Sequence, residues 1–561
     1  MPTSHGRLQL AGVAILALAA SITGLGNGFA LDDIPIVLTN QRIHSLSAPW
    51  TFLGQTYWPA DQGPALYRPL TIFGFALQWG AGGGAPVVFH LTSILLYVVA
   101  ALAVFWLALE LLPRPVALVA AALFAVHPVH VEAVANVVGQ SELLVGILVP
   151  VAVAWYVRAR RGGPITIQGG IVLAALYALS LGAKEHAVVL PGLLICAELL
   201  LVNDTTPVRT RFERALPALL GLLAVLITFW TVRTMVTGGT IGRDIHPAFR
   251  NGDVGTRLLT ALGVVPEWLR LLLYPVHLSA DYNPQEIPIL TSFGWRAFLG
   301  LSLLLELAWA VVWAWRRRPI VAFGILWTGL TLFPVSNFLL PTGILLAERT
   351  LFLPSVGVVL ILGGLVAPLW PAIQTWPVAR QRLAGGLVAL ILLCGLLRSA
   401  LRQPVWKDNA TLFRVTAQDA PRSYKARAAY GVMLLQSGQE EAGEREYLEG
   451  LSLYRDDPNL FADLGDWYLR KNRCEDALAA YARVLELVPN HWAATSRTIL
   501  CLTRVGRLDE ARRLAEVAVG RGDEGAPAKL AYVDSLIAHR AGPEPQAGKP
   551  SPGMPGAAPR P

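Results

Sequence analysis

Two adjacent aspartates, Asp32 and Asp33, follow the first long apolar run of the chain. The run, residues 8–30, contains no charged residue, and a helix needs about 20 apolar residues to cross a bilayer. Carboxylates at the mouth of such a span are costly to keep near hydrocarbon, so the pair is a candidate functional site. A carboxylate there predicts a general base that takes the proton from an attacking hydroxyl group. The alternative interpretation is a solvated flank that only ends the helix.

Basic side chains recur beside other apolar segments. Arg68 follows the first loop, Lys184 precedes Glu185 within an apolar stretch, and Arg349 follows Glu348. Arginine or lysine stabilises the charge that develops on a departing phosphate. A base and several cations on one membrane face therefore favour a lipid-phosphate donor, because its tail needs hydrocarbon and its head needs cations. The Lys184–Glu185 and Glu348–Arg349 pairs are also open to interpretation as structural ion pairs.

A third group of polar side chains, His127, His130 and Glu132, ends the third apolar span. Histidine and carboxylate bind zinc, but the two histidines lack the i, i+4 spacing that places both on one helix face, and no third ligand is obvious. We predict instead that they are hydrogen-bonded and cap a helix after Pro128. No metal and no other cofactor is predicted, with a divalent cation on the aspartate pair as the alternative.

Composition indicates a polytopic membrane protein. The 561 residues are 54% hydrophobic and only 15% charged, whereas soluble proteins are about a quarter charged. The formal charge of +8 comes from short basic clusters between apolar segments, which are typical of membrane orientation and not of nucleic-acid binding. Charge rises after Trp406, so we predict a membrane domain at 1–405 and a soluble domain at 406–540. The Pro- and Gly-rich tail, 541–561, is predicted to be disordered.

The predicted fold class is all-α, a membrane helix bundle of about eleven spans followed by an α-solenoid. With a cytoplasmic N-terminus, every dense arginine cluster lies on the inner side, and the aspartate pair and the C-terminal domain lie on the outer side. The predicted spans are 8–30, 86–112, 115–125, 143–157, 170–183, 187–202, 215–236, 295–315, 320–340, 351–370 and 383–397.

The soluble domain repeats itself with a period of 34 residues, shown by the pairs Gly431/Gly465 and Tyr447/Tyr481. This is the tetratricopeptide period, and we predict three copies, at 424–457, 458–491 and 492–525. Such arrays present a concave protein-binding surface, so a protein partner is expected there. Cys474 and Cys501 lie on neighbouring predicted helices, and an outer compartment would permit a disulfide between them.

The order of these motifs resembles the transmembrane and tetratricopeptide repeat O-mannosyltransferases, whose membrane half belongs to the C-type glycosyltransferase superfamily. The resemblance covers almost the whole chain. The matching stretches are Asp32-Asp33-Ile-Pro-Ile, Tyr67-Arg-Pro-Leu-Thr, Val-Phe-His90-Leu-Thr, Phe124-Ala-Val-His-Pro-Val-His-Val-Glu-Ala-Val-Ala, Lys184-Glu185, Pro334-Val-Ser-Asn337 and Ala347-Glu-Arg-Thr-Leu-Phe-Leu-Pro-Ser355.

The resemblance implies an inverting transfer of a sugar, mannose or another hexose, from a polyprenyl-phosphate carrier to an acceptor hydroxyl. It implies that the first outer loop supplies the acidic catalytic residue, which maps to Asp32 or Asp33, with a slight preference for Asp33. The basic residues Arg68, Lys184 and Arg349 match family positions for carrier contacts. The other predicted substrate or carrier contacts are His127, His130, Glu132, Glu185 and Glu348.

One stretch departs from the family pattern, because Gly139-Gln-Ser-Glu142 stands where Gly-Arg-Ala-Glu is expected and a basic residue is missing. The short three-copy array resembles bacterial members, which implies undecaprenyl phosphate as carrier and an inner membrane with periplasmic repeats. A eukaryotic member would instead sit in the endoplasmic reticulum membrane with luminal repeats.

The leading hypothesis is a membrane glycosyltransferase acting on Ser or Thr of a protein, or on a glycan or lipid. The alternative is a non-catalytic membrane scaffold whose repeats recruit partners. A transporter is disfavoured, because it predicts a polar pathway across both faces and the acids lie on one.

Overall fold

The computed structural model describes residues 4–59, 65–202, 205–239, 245–246, 249, 253–523 and 525–541. Within these ranges every regular element is a helix, so the predicted all-α fold is confirmed. The chain divides into two compact units, Met1–Leu453 and Tyr454–Pro561. The tail predicted to be disordered, 541–561, lies outside the described residues except for Ala541.

The first unit contains the membrane helices and the first helical repeat. Its helices are α1 (Ser4–Ser21), α2 (Pro69–Gly82), α3 (Pro86–Leu111), α4 (Arg114–Ala125), α5 (Val131–Ala135), α6 (Gln140–Arg161), α7 (Ile167–Ala183), α8 (Leu190–Leu200), α9 (Val208–Thr237), α10 (Val254–Leu273), α11 (Trp295–Arg317), α12 (Pro319–Leu332), α13 (Phe352–Val366), α14 (Trp370–Gln374), α15 (Val378–Arg402), α16 (Asn409–Asp419), α17 (Tyr424–Gln436) and α18 (Glu440–Leu453).

In the described part of the chain, seven helices are long and apolar enough to cross a membrane, or eight if the bent pair formed by α4 and the segment Pro128–Ala135 is one span. Two shorter apolar helices, Ile167–Ala183 and Pro319–Val335, add to these. The protein is therefore an integral, multi-pass membrane protein. Each of the eleven predicted apolar segments contains a helix, although several are shorter than a full span.

Helix α10 was not predicted from the sequence. It is 20 residues long and amphipathic, with Val264, Val265 and Trp268 buried, while Arg257 and Glu267 interrupt its apolar pattern. Those charges hide it from a search for uninterrupted apolar runs.

Close helix contacts in the bundle depend on glycine. At Gly324 of α12, an added Cβ would lie 2.6 Å from the carbonyl oxygen of Gly357 on α13. At Gly357, it would lie 2.4 Å from the carbonyl oxygen of Gly324. Small residues of this kind let membrane helices approach closely where no hydrophobic effect drives their association.

The chain bends sharply between α4 and α6. The helix ending at Ala125 and the segment Pro128–Ala135 meet at 47°. Pro128 begins the second segment, where its missing N–H would have no partner in any case. Gly139 closes the turn, since a Cβ there would lie 2.2 Å from the carbonyl oxygen of Ala133. The compact turn fixes the position of Glu132.

The repeat helices begin where the 34-residue period predicts. Helices α17, α19 (Pro458–Arg470) and α21 (Trp492–Arg504) start at the first residue of the three predicted copies. The first hairpin, α17–α18, belongs to the membrane unit, where the Gln285 side-chain amide donates to the carbonyl of Leu453 at 2.9 Å. The predicted domain boundary at 405/406 stays a prediction.

The second unit contains the remaining repeat helices. They are α19, α20 (Cys474–Leu487), α21, α22 (Leu508–Gly520) and the further helix α23 (Ala526–Ala541). Gly465 of α19 packs on the ring of Tyr481, as expected for paired repeat helices. Cys474 and Cys501 are both buried and are free thiols in this structure, so the disulfide considered from the sequence is not formed.

Candidate active site

Many of the charged residues predicted from the sequence line one cavity in the first unit. Its volume is about 650 Å³, and Asp32, Arg68, Lys184, Glu185 and Arg349 all line it. The other predicted residues lie outside its walls: Asp33, His127, His130, Glu132 and Glu348.

The two adjacent aspartates have different environments. The Asp32 carboxylate faces the cavity, is 27% exposed, and lies 4.0 Å from Nη2 of Arg349. Asp33 is 1% exposed, and its carboxylate accepts hydrogen bonds from the backbone N–H groups of Val137 and Val138 at 3.1 and 2.9 Å. Burial raises the pKa of Asp33 to about 8, against the lowering effect of those two amides. Asp33 thus holds the turn before α6, and Asp32 faces the cavity.

Arg349 is held in place by Glu132, which does not itself line the cavity. The Arg349 backbone N–H donates to Glu132 Oε2 at 2.8 Å, and its Nη1 donates to Glu132 Oε1. Glu132 is buried, whereas the Arg349 side chain is 24% exposed, so the carboxylate of this charge-assisted pair is the partner shielded from water. Since Nη1 is engaged, the guanidinium is oriented with Nη2 toward Asp32. Glu132 is therefore a positioning residue rather than a cavity wall.

Glu348, next to Arg349, faces a different loop. It accepts hydrogen bonds from the backbone N–H of Ser279 and the hydroxyl of Tyr282, both at 2.6 Å. That loop supplies Asp281, Tyr282 and Asn283 to the cavity wall. Glu348 therefore fixes a wall of the cavity without lining it.

Glu185, another residue of the cavity lining, lies close to the guanidinium groups of Arg68 and Arg233. Its Oε2 lies 3.2 Å from Arg68 Nε, and its Oε1 lies 3.8 Å from Arg233 Nε and accepts the backbone N–H of Tyr67 at 2.7 Å. The Arg68 guanidinium also lies over the Tyr57 ring, 4.7 Å from its centroid. Lys184 pairs with Glu142, and burial lowers the pKa of Lys184. Glu185 thus pairs with both Arg68 and Arg233, whereas Lys184 pairs with a different acid, Glu142.

Arg233 was missed by the sequence reasoning. It lies near the end of α9, at the opposite end from Arg209, Arg211 and Arg214. A lone arginine at the end of an apolar helix, on the membrane face opposite its basic cluster, was the available signal. Its Nη1 is buried and has no hydrogen-bond partner among the described residues.

The two histidines have structural hydrogen bonds. His127 Nδ1 accepts the backbone N–H of Val129 at 3.2 Å, and its Nε2 donates to the carbonyl of Leu272 at 3.0 Å, so His127 caps the segment after it as predicted. His130 bonds the Tyr97 hydroxyl at 3.1 Å and the Ser355 hydroxyl at 2.8 Å. Among the residues that the structure describes, no group of three histidine, cysteine or acidic side chains is placed to hold a metal.

One end of the cavity is apolar. Val188, Leu226 and Trp230 line it, and the same three residues line an adjoining groove of about 430 Å³ with Ile227 and Thr231. Ile227 and Trp230 are exposed on the surface of α9. The cavity with its several cations thus adjoins an apolar groove on the exposed surface of α9.

Comparisons with known proteins confirm the resemblance that the motifs indicated. The family model described as "Tetratricopeptide repeat" matches residues 463–527. Protein O-mannosyl-transferase TMTC3 of Mus musculus is 25% identical over 496 residues, 82% of this chain and 53% of that protein. The Homo sapiens TMTC3 protein is 26% identical over 494 residues, with the same coverage. Protein O-mannosyl-transferase Tmtc2 of Drosophila melanogaster is 33% identical over 313 residues, 52% of this chain and 33% of that protein.

The chain spans about half the length of the TMTC3 relatives it matches. Among solved structures, the Archaeoglobus fulgidus oligosaccharyltransferase tethered with an acceptor peptide is 14% identical. That match has a TM-score of 0.35 and covers 79% of this chain and 59% of the other.

Proposed function

We propose that this protein transfers a sugar, mannose in the first instance, from a polyprenyl-phosphate donor to a hydroxyl group of a protein, with Asp32 as general base. The names of the relatives support glycosyl transfer, and the apolar helices of this chain support its location in a membrane. The observation that carries the proposal is one cavity in which Asp32 and Arg349 meet beside Arg68, Lys184 and Arg233. No metal or other cofactor is part of the proposal.

The chemistry follows from the types of these groups. The acceptor oxygen attacks the sugar C1 from the face opposite the phosphate, and its proton passes to the Asp32 carboxylate. The C1–oxygen bond to the carrier phosphate breaks, and the phosphate leaves with the bonding electrons. Cationic side chains stabilise the charge that develops on the leaving group. Attack from the opposite face inverts the configuration at C1.

Asp32 is preferred to Asp33 because a general base must reach the proton it accepts. Asp32 lines the cavity, whereas both carboxylate oxygens of Asp33 are bonded to backbone amides. The slight preference for Asp33 drawn from the sequence is therefore replaced by Asp32 in this proposal. Glu132 would keep Arg349 beside Asp32, and Glu185 would keep Arg68 and Arg233 together.

The apolar groove fits the lipid part of the donor. Val188, Leu226 and Trp230 connect it to the cationic cavity, so a chain of isoprene units could lie there with its phosphate at Arg233. The arginine clusters between the spans support a cavity on the outer face, periplasmic or luminal, with the repeats on the same side. We propose that the repeats bind the protein acceptor or another protein partner.

The test is a transfer assay with the full chain in lipid vesicles. Labelled polyprenyl-phosphate mannose or glucose is supplied with acceptor peptides containing Ser and Thr. We expect label on a hydroxyl group of the peptide, in the anomeric configuration opposite to that of the donor. Retention of configuration would contradict the proposed mechanism. No transfer from any lipid-linked sugar would favour the scaffold alternative.

A further inference from the structure

Four polar atoms around the cavity are buried without a hydrogen-bond partner among the described residues. They are Tyr57 Oη, Glu142 Oε2, His186 Nδ1 and Arg233 Nη1. Buried polar groups are nearly always hydrogen-bonded, to protein, water or a ligand. Four such atoms around one cavity indicate an occupant whose own polar groups complement them.

Only one of the two carboxylate oxygens of Glu142 has a hydrogen-bond partner in the described part of the chain. Glu142 is 1% exposed and lies in the first turn of α6, where its Oε1 pairs with Lys184 Nζ. Its Oε2 has no partner in the described part of the chain. A carboxylate oxygen only accepts hydrogen bonds, so whatever satisfies Oε2 carries a donor hydrogen.

His186 has the same requirement. It is 5% exposed, and its Nε2 donates to the carbonyl of Thr331. Burial, followed by the charge of Lys184, lowers the pKa of His186 to about 4, so the ring is neutral at physiological pH. With the proton on Nε2, the second nitrogen, Nδ1, carries a lone pair and accepts a hydrogen bond. Glu142 pairs with Lys184, two residues before His186 in the chain, and all three side chains belong to the lining of the same cavity.

The donor has two polar parts that differ in hydrogen bonding. An ionised phosphate only accepts hydrogen bonds and cannot satisfy Glu142 Oε2 or His186 Nδ1, although it suits Arg233. A sugar ring presents several O–H donors. Two sugar hydroxyl groups could therefore donate the hydrogen bonds that Glu142 Oε2 and His186 Nδ1 require.

We propose that Glu142 and His186 form the subsite for the donor sugar, with Glu142 Oε2 and His186 Nδ1 each accepting a hydrogen bond from a different ring hydroxyl. This inference rests on the proposed function. A site that hydrogen-bonds a hydroxyl strongly rejects an analogue lacking it, because its buried acceptor is then left unpaired. The subsite would thus select among lipid-linked sugars by their hydroxyl pattern.

The experiment uses the full chain in vesicles with one peptide acceptor and a series of polyprenyl-phosphate donors. The series contains the accepted hexose and its monodeoxy analogues, each lacking one hydroxyl. For the wild type we expect two analogues whose kcat/KM falls by about tenfold or more, since hydrogen bonds to buried polar or charged groups are of that strength. The wild-type series needs no variant and cannot be lost to misfolding.

Two variants then assign the hydroxyl groups. His186→Phe should lower kcat/KM for the parent hexose and reduce the penalty for one deoxy analogue to within about twofold. Glu142→Gln should do the same for the other analogue. His277→Phe is the matched control, because His277 is exposed and does not line the cavity, and its deoxy profile should equal that of the wild type.

Each alternative outcome has a distinct meaning. Transfer by the wild type with all deoxy analogues within about twofold of the parent would overturn the sugar subsite while the proposed function stands. Penalties that persist unchanged in both folded variants would overturn it as well. No transfer from any donor would overturn the proposed function itself.

Discussion

Arg349 lies 4.0 Å from Asp32 through its Nη2, while its Nη1 and its backbone N–H are bound by Glu132. The guanidinium therefore joins a buried carboxylate to one that faces the cavity. In the proposed mechanism, this arrangement fixes the position of the cation beside the general base Asp32. A substitution of Glu132 should therefore change the rate of transfer, although Glu132 does not line the cavity.

The first prediction concerns Glu132→Gln. The charge-assisted pair with Arg349 is lost, and we expect kcat/KM for transfer to fall by roughly tenfold to a hundredfold with the chain still folded. Glu110→Gln is the matched control, because Glu110 pairs with Arg158 and Arg161 and does not line the cavity. Equal losses in both variants, measured in the vesicle assay, would contradict the positioning role of Glu132.

The second prediction concerns Arg233→Gln. If Arg233 binds the carrier phosphate, its loss should raise KM for the lipid donor by about tenfold or more and leave KM for the acceptor peptide unchanged. Arg209→Gln on the same helix α9 is the control, since Arg209 is exposed near the other end. A change in acceptor KM with an unchanged donor KM would reassign Arg233 to the acceptor.

A third prediction follows from the burial of Asp33. Its pKa is raised from 3.8 to about 8, so the folded state keeps a proton that the unfolded state releases. Between pH 3.8 and about 8 the unfolded state binds fewer protons than the folded state. The stabilisation contributed by the protonated Asp33 is therefore fully present below pH 3.8 and is lost as the pH rises to about 8. We expect the slope of Tm against pH over this window to be less negative in Asp33→Asn than in the wild type, in the same detergent. Parallel slopes would show that Asp33 does not titrate in this way.

A fourth prediction concerns the contact between α12 and α13. Gly357→Ala places a Cβ 2.3 Å from Thr328 Oγ1 and 2.4 Å from the Gly324 carbonyl oxygen, so Tm in detergent should fall, with a cost of about 1–3 kcal/mol or more. Gly329→Ala in α12 is the control, because nothing lies within 4 Å of its added Cβ. Equal Tm values for the two variants would show that the helices separate at little cost.

Strong periodic patterns in the sequence predicted most of the helices. The apolar segments all contain helices, and the repeat helices begin at Tyr424, Pro458 and Trp492 as the 34-residue period predicts. Such patterns persist because each repeat or span must bury a defined face. Helix α10 was not predicted, because its charged residues interrupt the apolar run.

The directions in which the side chains point could not be predicted from the sequence. Asp32 and Asp33 are neighbours, and in a helical turn successive side chains point roughly 100° apart, so one faces the cavity and the other faces backbone amides. His127, His130 and Glu132 are predicted from the sequence to contact the substrate or carrier, yet none of them lines the cavity. Arg233 and Glu142 lie far apart in sequence, and only the fold brings both of them to the wall of the same cavity.

The central claim is that Asp32 is the base of a sugar transfer in this cavity. It is tested most directly by measuring transfer by the full chain in vesicles for Asp32→Asn, Asp33→Asn and the exposed helix-cap control Asp253→Asn. The account predicts that Asp32→Asn lowers kcat by about a hundredfold or more with the donor KM little changed, and that the control keeps wild-type activity. Transfer that survives in Asp32→Asn but is abolished in a folded Asp33→Asn protein would contradict the account.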